Sequence, residues 1–202
     1  MIKVAFIGRM RSGKSTASDH LLFKDFKRFH SLSLGNAIKD ISDEYFSHLY
    51  ERKVVGTYPF DTIEVVKPRK ILQHIGQSFR EVDEDIWIKQ IENRIKYLDN
   101  LKDFRGVIID DIRQPNEYEW AKENGFVIIK IDTSVDTIKK RMESLNEVVD
   151  DSFNHDTESH INDFDYDYVI SGETNSSICN NLDKLYNEGK LEGKTEGWTF
   201  IE

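Results

Sequence analysis

One short stretch of the chain combines residue types and spacing that prescribe a chemistry. Gly8-Arg9-Met10-Arg11-Ser12-Gly13-Lys14-Ser15 follows the apolar run Val4 to Ile7 and precedes a helical pattern, the setting that a GxxxxGKS phosphate loop requires. Gly8 and Gly13 let the backbone turn tightly, so that successive N–H groups point into one concavity. A helix starting near Gly13 adds its N-terminal donors and the positive end of its dipole. Lys14 can then neutralise outer phosphates, and the Ser15 hydroxyl can hold a magnesium ion. Gly8, Arg11, Ser12, Gly13, Lys14, Ser15 and Thr16 are the candidate contacts to a nucleoside triphosphate, with ATP and Mg2+ the implied cofactors. A glycine turn bearing an exposed lysine and serine is the plain alternative, and the strand-to-helix context argues against it.

Three further groups could act with that loop. Asp110-Asp111 closes the apolar run Val107 to Ile109, where a strand-end carboxylate can hold magnesium through its water shell; capping of the next turn is the alternative. Arg80 flanks the apolar stripe of its helix and offers a planar fork for a phosphate, unless it is a solvated partner of Asp83 or Glu84. Gln73 and Gln77, one helical turn apart, could read a base edge through amide hydrogen bonds. Lys139, Lys140 and Arg141 gather near a helix end, where they either serve a lid over the phosphates or complement the helix dipole.

These groups need elements to position them. Ile2 to Ile7 suits a buried parallel strand, and a helix follows from about Lys14 to Lys24. Phe29 to Leu34 is a second strand, and Ala37 to Leu49 has helical spacing. From Glu51 to Pro68 the pattern is irregular and reads as a loop. Helices are predicted over Arg69 to Arg80 and Asp85 to Leu101, then the strand Val107 to Ile109, a helix from Glu117 to Asn124, and the strand Phe126 to Ile131. A helix capped by Thr133 or Ser134, the strand Tyr168 to Ile170 and the helix Ser176 to Tyr186 complete the order. Strands alternating with helices predict an α/β fold, a parallel β-sheet with helices on both faces. Ligands of such sheets sit at the carboxyl ends of strands, which brings the Gly8 to Ser15 loop and Asp110-Asp111 to one edge.

Several segments resemble a known family. Ile71-Leu72-Gln73-His74-Ile75-Gly76-Gln77, with Arg80 and Asp85-Ile86-Trp87 beyond it, is similar to the substrate-binding segment of phage-type deoxynucleoside monophosphate kinases. Val107 to Glu117 resembles the same family's Asp-x-Arg-x-Pro-Asn-Glu stretch, with Asp111 and Arg113 at the matching positions. Ser33-Leu34-Gly35-Asn36-Ala37-Ile38-Lys39 more loosely resembles the segment placing a lysine near the monophosphate. The likeness runs from Ile2 to about Ile170.

It implies a P-loop NTPase of the nucleoside monophosphate kinase type, with an inserted helical substrate-binding lobe (about 36–103), a core (about 1–35 and 104–190) and a lid (about 139–158). The implied activity is ATP-dependent phosphorylation of a deoxynucleoside monophosphate to the diphosphate. Lys14, Arg113 and Arg141 would be catalytic; Lys39, Gln73, Gln77, Arg80, Trp87 and Asp111 would bind substrate; Ser15 and Asp111 would hold the metal. A homodimer is implied as well. Two departures stand out: the stretch from Glu51 to Pro68 matches no family pattern, and Gly172 stands where related kinases often carry Asn. His155-Asp156-Thr157-Glu158 resembles a post-lid stretch, but His155 receives no catalytic role, because a phosphate acceptor is already ionised at neutral pH.

Composition narrows the alternatives. Acidic residues outnumber basic ones, 37 to 28, for a net charge of −9, so a nucleic-acid polymer would be repelled by most of the surface. Cys179 is the single cysteine and supports neither a disulfide nor a zinc site. No 18-residue apolar stretch or signal peptide occurs, so a cytoplasmic protein without a membrane partner is expected. A GTPase switch would carry both a DxxG and an NKxD motif, and that pair does not occur; a remodelling ATPase would need more length. Another small-molecule P-loop kinase, such as a dephospho-coenzyme A kinase, is the sister alternative.

Overall fold

Among the strands whose burial is described, the longest uninterrupted burial falls on β1 (Ile2–Ile7), whose Val4, Ala5, Phe6 and Ile7 are wholly inaccessible. A strand apolar on both faces can only be an inner strand of a covered sheet, and β1 is the middle one. The computed structural model describes residues 1–55, 62–66, 69–145 and 163–201. In it β1 lies between β5 (Gly106–Ile109) and β6 (Val127–Asp132), flanked by β2 (Phe29–Leu32) and β7 (Tyr168–Ser171), in the order β2-β5-β1-β6-β7. All four pairings are parallel.

The register fixes which strand exits share an edge. Ala5 pairs with Ile109, Ile7 with Lys130, Leu32 with Ile109 and Asp132 with Ser171. The residues that follow β1, β2, β5, β6 and β7 therefore emerge together at the carboxyl edge of the sheet.

Helices α1 (Lys14–Lys24) and α7 (Asn175–Asn187) pack together beside this sheet. Ala17 and Leu21 from one and Ile178 and Leu182 from the other join Val4, Phe6, Ile108, Ile129 and Ile170 in a single apolar cluster. Each large aliphatic side chain so buried contributes about 1.5–3 kcal/mol. The alternate residues Ala5, Ile7, Ile109 and Ile128 point the other way along their strands and are equally buried, as are Trp120 of α5 (Pro115–Glu123) and Ile138 and Met142 of α6 (Val135–Ser144).

The chain divides into two compact units, Met1–Ser33 with Ile91–Glu202, and Leu34–Gln90. The second holds α2 (Asn36–Phe46), a 3-10 turn (Ser47–Leu49), β3 (Glu51–Val55), β4 (Thr62–Val66), α3 (Arg69–Val82) and the opening of α4 (Ile86–Asp99). From Ile91 onward α4 belongs to the first unit. Glu92, buried, accepts from the Trp120 indole N–H at 2.8 Å and from the Ile201 amide at 2.9 Å.

Two local expectations are corrected. Within the stretch read as an irregular loop, β3 and β4 form an antiparallel pair, Glu51 opposite Val66 and Val55 opposite Thr62. Val54, Val55, Thr62, Ile63, Val65 and Val66 are β-branched residues that suit a pleated surface. The helix expected from Glu117 opens two residues earlier, at Pro115, since proline needs no amide donor in a first helical turn. The Glu117 carboxylate of that turn accepts from the amides of Arg113 and Gln114. Asp103-Phe104-Arg105-Gly106 does spell DxxG, but it leads into β5 at the edge opposite the phosphate loop.

At that opposite edge Lys3, wholly buried, donates to the carbonyls of Asn124 (2.9 Å), Thr195 (3.3 Å) and Gly197 and lies over the Trp198 ring. The C-terminal segment is thereby clasped to β1.

Candidate active site

Between β1 and α1 the backbone adopts conformations that its residue types permit at two points and resist at one. Gly8 has φ 147° and Gly13 has φ 111°, values that glycine takes without steric cost. A Cβ on Gly8 would lie 2.8 Å from the Ile131 carbonyl and 2.9 Å from Ser12 Oγ; one on Gly13 would lie 2.5 Å from Ile178 Cδ1. Arg11, at φ 62°, is a non-glycine residue held left-handed at a cost on the order of 1–2 kcal/mol.

Lys14 opens α1 and is buried, its ammonium 2.6 Å from the Gly8 carbonyl and 2.8 Å from that of Arg9. The loop thus wraps a fixed positive charge. No acid stands in the first turn of α1, so nothing opposes the dipole where an anion would approach. Ser15 is exposed and Thr16 half-buried. Ser12 is turned inward: its hydroxyl is buried without a hydrogen-bond partner among the described residues, and its amide donates to the Arg9 carbonyl at 3.1 Å.

The turns after β6 and β7 grip this loop from behind. Thr133 Oγ1 donates to the Ser12 carbonyl at 2.8 Å. Arg141 of α6 donates to the carbonyls of Arg11 (2.9 Å), Gly172 (2.6 Å) and Glu173 (3.3 Å). The Glu173 carboxylate accepts from the Thr137 hydroxyl and from the amide and hydroxyl of Ser134. These donors, the Thr137 hydroxyl foremost, hold its carboxyl below the usual carboxylate range. A cavity of about 250 Å³ opens among Gly8, Arg9, Ser12, Ile131, Asp132 and Thr133.

Asp111 emerges beside this loop at the end of β5, and the Ser33 hydroxyl, one residue past β2, donates to its carboxylate at 2.6 Å. The residues present fit a magnesium ion bound to phosphates: an exposed Ser15 hydroxyl and an oriented carboxylate are hard oxygen donors, and magnesium keeps several waters instead of an all-protein cage. Among the described residues no cluster of three or more His, Cys, Asp or Glu could hold a metal, so any such ion would draw most of its ligands from phosphate and water. Arg113, half-buried, follows on the same exit.

In the second unit Gln73, Gln77 and Arg80 fall at i, i+4 and i+7 on α3, one stripe of the helix. The two glutamines are exposed and Arg80 is half-buried. The Arg80 guanidinium lies back along the helix, its Nη1 3.5 Å from where a Gly76 Cβ would be. Lys39 is exposed on α2. Trp87 is buried, its indole N–H donated to the Gly76 carbonyl at 3.1 Å and its ring tilted against Phe79, which makes it a brace for α3.

Lys139 and Lys140 are exposed on α6, whereas Arg141 is half-buried in the contacts above. Most of the expected lid, from residue 146, and His155 lie outside the described residues. Thr133, Gly172, Glu173 and Ser33 escaped the sequence-based site. Their one available signal was position, each standing at or just past the carboxyl end of a predicted strand.

A protein of Acanthamoeba polyphaga mimivirus, provisionally named a deoxynucleotide monophosphate kinase, is 30% identical over 146 residues, covering 65% of this chain and 74% of its own length. The crystal structure of TT1252 from Thermus thermophilus superposes with a TM-score of 0.57 and 14% identity over 95% of this chain and 98% of that one. Shikimate kinase from Bacteroides thetaiotaomicron does so with a TM-score of 0.51 and 13% identity over 94% and 99%. At such identities the two structures speak for the fold alone. No protein-family model matches the chain.

Proposed function

The chain belongs to the P-loop deoxynucleotide monophosphate kinases, and from that premise we propose that it transfers the terminal phosphoryl group of ATP to a deoxynucleoside monophosphate. The observation that carries this is Lys14. A buried ammonium set in the curve of the loop by the Gly8 and Arg9 carbonyls, at the acid-free start of α1, is a preorganised site for phosphate charge.

In this reaction ATP would supply the phosphoryl group, and a magnesium ion would neutralise charge on its phosphates. The Gly8 to Thr16 loop binds the phosphates through backbone amides, with Lys14 neutralising charge that grows in the transition state. Ser15 would ligate the metal, and Asp111, oriented by Ser33, would hold its water shell. Arg80 grips the acceptor phosphate through paired hydrogen bonds, Gln73 and Gln77 read the acceptor base, and Lys39 adds charge to the monophosphate side. Arg113 and Arg141 are the further cations of the transfer. The hydrogen bonds of Arg141 to the Arg11 and Gly172 carbonyls support a role for it next to the phosphate loop. Trp87 serves the acceptor through α3, which it braces. The acceptor is an ionised phosphate, so no general base is required.

A coupled assay with ATP and a panel of nucleoside monophosphates, each with and without the 2'-hydroxyl, tests the proposal. Turnover of at least one deoxynucleoside monophosphate, dependent on magnesium, is expected. ATP binding with no turnover of any monophosphate would refute it.

A further inference from the structure

The contact between Thr133 and the phosphate loop joins residues 121 apart in the chain, and it is one of the few buried side-chain hydrogen bonds reaching that loop. Thr133 follows β6 and is buried, at 8% exposure. Its hydroxyl donates to the Ser12 carbonyl at 2.8 Å. A trans peptide is planar, and its N–H points opposite to its C=O. Tying back the Ser12 carbonyl therefore aims the Gly13 N–H to the other side, away from Thr133. Gly13 is the N-cap of α1, and its amide adjoins the orphan donors of the first helical turn.

We propose that Thr133 is a positioning residue for the donor nucleotide, presenting the Gly13 amide to a phosphate by fixing the Ser12–Gly13 peptide plane. This rests on the reading of the loop as the ATP site.

Three observations make the restraint specific. Gly13, at φ 111°, is a glycine free to take many conformations, and Arg11, at φ 62°, is a non-glycine residue held left-handed against its preference, so neither fixes the loop by local preference. The Ser12 side chain does not help, since its hydroxyl is buried without a partner among the described residues. The space around the Thr133 hydroxyl is also reserved: a Cβ on Gly172 would collide with it, and would lie 2.5 Å from the same Ser12 carbonyl. The glycine that stands where related kinases often carry Asn is thus the residue that leaves room for this hydrogen bond.

The test is isothermal titration of a non-hydrolysable ATP analogue into the full chain and into Thr133→Val and Thr133→Ser, with thermal melts and acceptor KM measured on each. Valine keeps the shape and removes the donor; serine keeps the donor. The expected result is an analogue Kd raised about tenfold in Thr133→Val, an acceptor KM unchanged, and a Kd within about twofold of the parent in Thr133→Ser. If Thr133→Val does not fold, Thr133→Ala takes its place with the same expectation. Parent-like binding by a folded hydroxyl-free variant would overturn the inference. So would equal losses for donor and acceptor, or a loss in Thr133→Ser as large as in Thr133→Val, since either marks a packing role only. A parent protein that fails to bind the analogue refutes the kinase reading itself and this inference with it.

Discussion

Replacing Lys14 by alanine removes a charge without removing a packing element, which makes its consequences separable. The ammonium makes hydrogen bonds to the Gly8 and Arg9 carbonyls at 2.6 and 2.8 Å. Arg9 is exposed, so water can replace at least that contact, and the expected stability change is on the order of 1 kcal/mol. The catalytic loss should be much larger. A preorganised donor acting on developing charge is worth about 2.7–4 kcal/mol, and ~1.4 kcal/mol is a factor of ten. The kcat of Lys14→Ala should thus fall by about two to three orders of magnitude, while its melting temperature shifts by only a few degrees. Lys14→Arg should recover little, because the guanidinium is too large for a cradle set by two adjacent carbonyls. Steady-state rates in a coupled assay, paired with melts of the same preparations, make the comparison. Undiminished turnover by a folded Lys14→Ala protein would refute the assignment of the loop. A fall in rate matched by collapse of the melt would refute the separation of charge from packing.

Arg80→Ala should raise the acceptor KM by about tenfold to a thousandfold, from the loss of charge-assisted hydrogen bonds of about 1.5–3 kcal/mol each, and should leave ATP-analogue binding unchanged. Arg80→Lys should restore only part of it, because an ammonium lacks the bidentate fork; titration of both ligands decides, and equal weakening would move Arg80 to the donor side. Asp111→Asn should raise the magnesium concentration for half-maximal rate without lowering the melt, since asparagine can still accept from Ser33. A large effect of Asp110→Asn with none from Asp111→Asn would shift the role by one residue. Asp183 of α7 accepts from Lys24 and His20 of α1, each at 2.6 Å, and these partners, Lys24 first, hold its carboxyl below the usual range. The unfolded chain therefore takes up that proton at higher pH than the native one. The stabilisation is present above about pH 4, the ordinary carboxylate range, and is lost as pH falls through the native value. Melts of Asp183→Asn and the parent between pH 7 and 2 should converge at the acid end, and a constant gap would contradict the linkage.

The phosphate loop was legible because its chemistry is contiguous: Gly8, Gly13, Lys14 and Ser15 act through one turn and the helix that it opens, and their spacing encodes that turn. The strands were legible for a similar reason, since Val4 to Ile7, Val107 to Ile109 and Phe126 to Ile131 are apolar runs that only a doubly covered sheet can bury. The exit of β5 at Asp110-Asp111 followed from the rule for such sheets. The β3–β4 pair went unseen because its strands are short and lie among Gly56, Pro59 and Pro68, which read as loop. Trp87 carried no signal that its N–H was committed to Gly76.

What only the tertiary structure decided are contacts between distant positions. Lys3 looks like a strand residue, yet it is the buried clasp for a segment more than 190 residues away. Thr133 reads in sequence as a helix cap, Arg141 as a lid cation and Gly172 as a departure from the family, and they become a restraint on Arg11 and Ser12 because parallel register delivers three strand exits to one edge. Hydrophobic periodicity records which face of an element is covered. It carries no record of which hydroxyl or guanidinium will reach a given carbonyl once the elements have packed.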